Sequence, residues 1–347
     1  MEVRRMDAVD AFVVFDLDDA PQAAGGTRLA PDVSEREGAL LARAMTYKFA
    51  VLGRPIGGAK GLVRSDADGR AAAMARYCEE IRPLVMSRRF LTGPDLGTYE
   101  ADFAPLRSPD WEPHVLNSTV DGVAFEDVLT GFGVAVAADA AVGGLDGRTV
   151  AVEGFGKVGA GVAREVAHRG GRVVAVSTLA GCVADREGLD VDQLWEARAT
   201  HGDGLVAEVG RPCLPRDALF EIEADVLVPG ARVGVIDEQR AARVGARAVV
   251  PAANVPYTAG GLEALGARGI AAHADFVCNA AAVVGYTSAA STSRTQVLDR
   301  VERTIVDLVR ASSTDARGPF AGACALAEEF LRSWRPPHES PPGPPLA

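Results

Sequence analysis

The sequence predicts an α/β protein of two domains, the second built on a doubly wound parallel sheet. Three observations predict it. From residue 130 onward, short apolar strands alternate with helical stretches, the pattern of a parallel sheet covered on both faces. A glycine turn, Gly154-Phe155-Gly156-Lys157-Val158-Gly159, joins one of those strands to a helix. The chain has 347 residues, 48% of them hydrophobic, which is enough for two cores.

The elements follow in order. Residues 10–16 read as a strand, and Gly25-Gly26-Thr27-Arg28 as a turn. Leu40, Leu41, Ala44 and Met45 recur at helical spacing within 35–48, and Lys48 falls at the end of that helix. Ile56 to Gly61 reads as a glycine-rich turn, 67–82 as a helix, and 88–92 as a strand leading into Thr92-Gly93-Pro94-Asp95-Leu96-Gly97-Thr98. Pro105, Pro109 and Pro113 make 104–125 an irregular hinge. A small-residue helix over 130–142 leads to the strand Thr149–Glu153, the glycine turn, a helix to about Arg169, and the strand Arg172–Ser177. Further strands are expected over 225–228, 248–250 and 270–272. Six prolines after Ser333 mark a disordered tail.

Composition excludes several classes. Lys plus Arg number 36 against 47 Asp plus Glu, so the net charge is 36 − 47 = −11, and a nucleic-acid partner, which needs a basic face, is not expected. No apolar run approaches the ~20 residues that cross a bilayer, and the start Met1-Glu2-Val3-Arg4-Arg5 lacks a signal-peptide core, so no membrane association is expected. The five cysteines are scattered without a CxxC pair, and the five histidines are equally dispersed. Neither a disulfide framework nor a metal site is expected, and a reducing cytoplasm is the implied compartment.

The glycine turn carries the first functional reading. Gly154 permits a tight turn, Gly156 lets backbone approach a pyrophosphate, and Gly159 lets helix and strand pack closely. The helix N-terminus, with Lys157 and Val158 in its first turn, then offers free N–H groups to the anion. This is a Rossmann dinucleotide site. The following strand ends in Ser177 and Thr178 where an acid for the ribose hydroxyls is usual. Hydroxyls bond a ribose or a 2′-phosphate equally well, so NAD and NADP both stay open.

Several further segments resemble, in order, those of the glutamate/leucine/phenylalanine/valine dehydrogenase family. Gly25-Gly26-Thr27-Arg28 resembles its GG-T-R segment. Met45-Thr46-Tyr47-Lys48, Gly57-Gly58-Ala59-Lys60-Gly61 and Pro94-Asp95-Leu96-Gly97-Thr98 resemble its three active-site segments, including the twelve-residue spacing of the lysines. Thr130-Gly131-Phe132-Gly133-Val134 is similar to a TGxGV helix start, and Val228-Pro229-Gly230-Ala231 to a cofactor loop. Ala252-Ala253-Asn254 is similar to a GAN segment, and Asp275 to Ala280 to a D-x-x-x-N-A-G-G element. The resemblance spans about residues 24–288 and implies reversible NAD(P)-dependent oxidative deamination of an L-amino acid to its 2-oxo acid and ammonia. By resemblance, Lys48 pairs with the substrate α-carboxylate. Lys60 polarises the carbonyl and activates water, and Asp95 shuttles protons. Thr130, Gly230 and Ala231 are expected on the cofactor, and Asn254 and Asn279 on cofactor and substrate.

Glutamate-specific members of the family place a lysine where this chain has Ala24 and a serine where it has Tyr286. A buried distal carboxylate without a cation is costly. The expected substrate is therefore a neutral amino acid, apolar or aromatic, against a side-chain pocket of Ala24, Gly93, Val283 and Tyr286. The alternatives are glutamate, or a cofactor-binding sensor or partner subunit without catalysis. Ala281 and Ala282 replace the glycine pair of the N-A-G-G element, a source of strain if the backbone there is left-handed. The domains expected are 1–125, for substrate binding and dimerisation, with a C-terminal helix at 305–335 packing back on it; 126–304 for the dinucleotide; and 336–347 as the tail. The first strand begins near residue 10, without the family's preceding interface helix, so a homodimer is expected before any higher homo-oligomer.

Overall fold

The computed structural model describes residues 1–108, 114–120, 122–289, 291–335 and 340–347. The chain forms two compact units, 1–113 with 326–345, and 114–325 with 346–347. The first contains β1 (Glu2–Arg5), β2 (Ala11–Phe15), β3 (Ala23–Ala24), β4 (Thr27–Leu29), α1 (Glu35–Val51), β5 (Gly57–Val63), α2 (Arg70–Met86) and β6 (Phe90–Leu91). Its sheet runs β1-β2-β5-β3-β6, with β4 also on β5. β2 is antiparallel to β5, while β3 and β4 are parallel to it.

The five residues of β2 are all buried because both faces of the strand are covered. Ala11, Val13 and Phe15 pack with Met74, Tyr77 and Ile81 of α2, while Phe12 and Val14 pack with Ala42 of α1. α1 starts where the Ser34 side chain accepts the Glu37 N–H, with Glu35 and Glu37 in its first turn. The glycine-rich segment expected as a turn is the strand β5, fully buried. Its glycines serve close packing instead. A Cβ on Gly58 would lie 1.9 Å from the Ala42 carbonyl oxygen, and one on Gly61 would lie 2.1 Å from the Tyr77 hydroxyl.

The second unit adds the hairpin β7 (Thr119–Val120) and β8 (Val123–Ala124), then α3 (Phe125–Val142), β9 (Thr149–Glu153), α4 (Lys157–His168), β10 (Arg172–Thr178), β11 (Gly181–Ala184), α5 (Val191–His201) and β12 (Ala224–Pro229). It continues with α6 (Glu238–Ala241), β13 (Ala246–Val249), α7 (Ala259–Ala267), β14 (Ala271–Ala272), α8 (Asp275–Cys278), α9 (Ala281–Tyr286) and α10 (Arg294–Ser312), and α11 (Pro319–Trp334) starts in this unit but belongs from Leu326 onward to the first. Its sheet runs β11-β10-β9-β12-β13-β14. All pairs are parallel except the β10–β11 hairpin. The order turns back at β9, with β10 on one side and β12 on the other. That is a topological switch point, where open α/β sheets bind ligands.

Four expectations are corrected. α3 begins at Phe125 rather than 130, because Glu126 and Asp127 complement the N-terminal end of the helix dipole. The change of unit falls after residue 113, ahead of 126. The Phe125 N–H donates to the Ser118 carbonyl at 2.8 Å, which ties residues 114–124 to α3. Pro109 and Pro113 of the expected hinge lie outside the described residues. The helix expected over 305–335 is two helices. α10 ends at Ser312 and packs on α3; a turn containing left-handed Gly318 (φ 101°) follows, and Pro319 opens α11. The tail expected to be disordered is held over 340–347. In the first unit Tyr47 bonds the Pro342 carbonyl and Arg43 Nη1 donates to the Gly343 carbonyl at 2.8 Å. In the second, the Ala347 N–H donates to the Tyr257 carbonyl at 2.9 Å. Residues 336–339 lie outside the described residues. No helix among the described residues is long and apolar enough to cross a membrane.

Candidate active site

In the first unit the sheet and its loops assemble a buried ionic array. Lys60 lies on β5, on the strand face of Gly58 and Leu62, and is 3% exposed. Its Nζ sits 2.7 Å from Asp95 Oδ2. The same oxygen accepts Arg28 Nε at 3.1 Å, and Arg28 Nη1 bonds Glu37 of α1. Asp95 is fixed by its own turn: its N–H donates to Thr98 Oγ1 at 2.9 Å, and that hydroxyl donates to the Thr27 carbonyl at 2.8 Å. The Asp95 side chain keeps 22% exposure, so a substrate can reach it.

The array sets the protonation of its members. Burial pushes the Asp95 carboxyl up, but Lys60 and Arg28 beside it outweigh that and hold it well below the usual carboxylate range. Burial pushes the Lys60 ammonium down. Asp95 restores part of this, and Arg28 adds to the depression, leaving Lys60 below an ordinary lysine. With both cations facing it, the Asp95 carboxylate is favoured, and burial weakens the hold of Lys60 on its proton. Lys48 is buried at 5% exposure in the last turn of α1. α1 is tied to β5 through Thr46, whose Oγ1 accepts the Gly58 N–H at 2.9 Å and donates to Asp16 at 2.6 Å. Ala24 is buried on β3, in register with Gly58. Gly93 has open space where a Cβ would stand, and its carbonyl accepts the Thr27 N–H.

In the second unit the glycine turn lies at the switch point. Gly154 is left-handed (φ 86°), and a Cβ on Gly159 would lie 2.0 Å from the Gly154 carbonyl oxygen. Gly156, the N-cap of α4, has nothing within 4 Å of its Cβ position, which leaves a cradle that backbone N–H groups line. These residues fit a dinucleotide. Lys157, half exposed, pairs with Asp127 at 3.5 Å, and Val158 is half-buried beside it. Gly131, next to Thr130 on α3, would press a Cβ to 2.8 Å from the α4 backbone at Gly161 and Val162. The Thr130 hydroxyl itself donates back to the Glu126 carbonyl.

Ser177 and Thr178, expected on the cofactor ribose, stand buried at the end of β10. The Ser177 carbonyl accepts the Gly154 and Phe155 N–H groups, its Oγ accepts the Gly154 N–H at 3.4 Å, and Thr178 Oγ1 donates to the Asp203 carbonyl at 2.6 Å. Both residues thereby brace the glycine turn and the strand end. Gly230 and Ala231, at the end of β12, are held by Glu153 Oε2, which accepts their N–H groups at 3.0 and 2.8 Å. Asn279 Nδ2 donates to the Asn254 side chain at 2.9 Å and to the Ala252 carbonyl at 3.0 Å, so these two asparagines do meet. Val255, directly after Asn254, is left-handed (φ 50°), and buried Asp275 accepts its N–H at 2.9 Å. Ala281 and Ala282 stand in the helix α9 and carry no left-handed strain. Val283 is half-buried, while Tyr286 is 41% exposed and its hydroxyl donates to Glu126 at 2.8 Å.

Sequence reasoning missed Arg28 and Glu37, which complete the ionic array, and Glu153 and Asp275, which hold backbone at the cofactor end. Arg28 closes the GG-T-R segment and Glu153 immediately precedes the glycine turn, so both had a positional signal.

Comparison with known proteins identifies the family. Residues 122–315 match the glutamate/leucine/phenylalanine/valine dehydrogenase family, and residues 2–108 match that family's dimerisation domain. The chain is 32% identical over 283 residues to an NADP(+)-dependent glutamate dehydrogenase of Pyrobaculum calidifontis, covering 75% of this chain and 67% of the relative. A glutamate dehydrogenase of Thermotoga maritima is 34% identical over 281 residues, with 75% and 67% covered. The chain thus spans about two thirds of the length of these relatives. Among solved structures, a hetero-hexameric glutamate dehydrogenase from Thermus thermophilus in a Leu-bound form superposes with a TM-score of 0.76 at 29% identity, covering 96% of this chain and 86% of that one. An L-tryptophan dehydrogenase from Nostoc punctiforme shares the fold, with a TM-score of 0.66 at 20% identity and 96% and 95% covered. The chain belongs to the glutamate/leucine/phenylalanine/valine dehydrogenase family, and with it to the NAD(P)-dependent amino-acid dehydrogenases.

Proposed function

We propose that this chain catalyses reversible oxidative deamination of an L-amino acid, and that the Lys60–Asp95–Arg28 array is the observation that carries the reading. Bound NAD(P)+ supplies the hydride acceptor. Lys48 holds the α-carboxylate and so orients the Cα–H. Asp95 takes a proton from the substrate ammonium group, and the Cα–H departs as hydride, leaving an iminium. Water adds to the iminium carbon while Lys60, in its neutral form, accepts one of its protons. Asp95 returns a proton to the nitrogen of the carbinolamine. The C–N bond then breaks as Asp95, again a carboxylate, takes the hydroxyl proton, giving ammonia and the 2-oxo acid. Gly154, Gly156, Gly159 and the N-terminal turn of α4 receive the cofactor phosphates, and Thr130, Gly230, Ala231, Asn254 and Asn279 flank them.

Glutamate is the substrate that the names of the relatives favour, ahead of the neutral side chain read from the sequence. Two observations support the neutral reading. Ala24 is small and buried where a cation for a distal carboxylate is expected, and the Tyr286 hydroxyl is already engaged by Glu126. The match of residues 2–108 to a dimerisation domain supports self-association, to be checked by light scattering. Initial rates with NAD+ and NADP+ across the proteinogenic amino acids, and in reverse with their 2-oxo acids and ammonia, test the reaction and rank glutamate against neutral substrates. Cofactor binding without turnover on any of them would overturn it.

A further inference from the structure

Glu153 is the last residue of β9 and is 3% exposed. It stands between the two strand ends that define the switch point. Pro229 of β12 is its register partner on one side and Ser177 of β10 on the other. Its Oε2 accepts two consecutive backbone N–H groups, those of Gly230 and Ala231. The contact is close throughout. A Cβ on Gly230 would lie 2.7 Å from the Glu153 carbonyl oxygen, and one on Gly154 would lie 3.3 Å from the Gly230 carbonyl carbon. The glycine turn after β9 and the loop after β12 therefore lie backbone to backbone, and the Glu153 carboxylate joins them from beneath. Two consecutive N–H groups of the loop after β12 are thus bound by one buried carboxylate oxygen.

We propose that Glu153 is a positioning residue for the dinucleotide: it fixes the 229–231 loop against the glycine turn, and so sets the width of the cradle into which the cofactor settles. The inference rests on the dinucleotide reading of the glycine turn and is independent of which amino acid is oxidised. The role needs an acceptor that reaches both N–H groups rather than a negative charge. Glutamine keeps such an acceptor, aspartate is too short to span both donors, and alanine leaves both unpaired next to a void. Loss of the acceptor therefore acts on cofactor affinity, while Lys60 and Asp95, in the other unit, keep their own contacts.

Fluorescence titration of NADH and NADPH into the full chain, with turnover at saturating cofactor and melting temperature alongside, tests it. Glu153→Ala and Glu153→Asp are expected to raise the cofactor Kd about tenfold, the effect of two unmet buried donors. The amino-acid KM and kcat at saturating cofactor should stay close to wild type. Glu153→Gln should remain within about threefold of the wild-type Kd, the scale of a retained neutral acceptor. If Glu153→Ala does not fold, Glu153→Asp against Glu153→Gln gives the same contrast. An unchanged Kd in Glu153→Asp, or a Kd in Glu153→Gln as weak as in Glu153→Asp, would overturn the proposal. A wild-type chain that binds neither cofactor would sink the dinucleotide reading itself, and this proposal with it.

Discussion

The candidate sites of the two units are built in opposite ways. The first works through side chains: Arg28, Lys60 and Asp95 gather charge where burial makes charge expensive, and each is held by another. The second is built from backbone: Gly154, Gly156 and Gly159 shape the turn, and the side chains of Glu153, Asp275 and Ser177 accept main-chain N–H groups. The lesson is one of division of labour. A site built from charge sets reactivity and is read in rate and pH. A site built from backbone sets affinity and is read in Kd. Substitutions in the two units should therefore separate cleanly.

The largest separation is expected from Lys60→Ala. It removes the amine proposed to take the proton of water, and turnover should fall about 10²–10⁴-fold, the usual worth of a positioned acid–base group. NAD(P)H titration should give a wild-type Kd. A Kd that moves together with turnover would erase the division between the units.

A second contrast uses one residue type in both units. Gly58→Ala places a methyl group 1.9 Å from the Ala42 carbonyl oxygen and 2.4 Å from the Thr46 nitrogen, so α1 must lift off β5. A loss of about 1–3 kcal/mol in denaturant unfolding is expected, the range for overpacking a close contact. Gly156→Ala meets nothing within 4 Å and its φ of −79° suits any residue. It should leave stability near wild type while weakening cofactor binding. Equal stability losses for the two would show that crowding does not distinguish the units.

How much of this was legible in sequence follows the same division. The glycine turn, β9, α4 and β10 were readable because a local pattern, strand then GxGxxG then helix, fixes them within a few residues. Lys60 and Asp95 were identified by resemblance alone; nothing in their spacing says that 35 residues of chain, including all of α2, would return one to 2.7 Å from the other. β5 was misread because Gly57, Gly58 and Gly61 signal a turn locally, whereas the tertiary approach of α1 and Tyr77 forbids side chains there. Ser177 and Thr178 were legible as the end of β10, but sequence does not say which way a hydroxyl turns. Glu153 was missed because its partners, Gly230 and Ala231, lie in the loop after β12, a strand that neighbours β9 in space and not in sequence.

A smaller effect is expected from Arg28→Gln, and it sharpens the claim that charge governs the first unit. Arg28 helps to hold Asp95 ionised and helps to depress Lys60. Without it both groups titrate at higher pH. The acid side of the rate profile, where Asp95 gains its proton, should move upward, and the side where Lys60 must lose its proton should move upward with it. The sign for stability follows from the depressed Asp95 carboxyl. It stabilises the fold above the unfolded carboxylate range, and that contribution fades as pH falls through the folded value. Arg28→Gln should therefore lose stability at neutral pH and less of it in acid. A rate profile that drops in height without moving would assign Arg28 a merely structural part.

The smallest effect tests the second unit where sequence misled. The Thr178 hydroxyl donates inward to the Asp203 carbonyl and accepts the Ala180 N–H at 3.1 Å, so it is spent on the β10–β11 turn. Thr178→Val removes those bonds at nearly constant volume and should cost about 1 kcal/mol of stability, the net worth of such a hydrogen bond. The ratio of NADH to NADPH affinity should not change, because the hydroxyl that would discriminate a ribose from its 2′-phosphate already faces the protein. A shift in that ratio greater than the change in either affinity alone would return Thr178 to the ribose. In that case a side chain would select the cofactor in the unit otherwise governed by backbone.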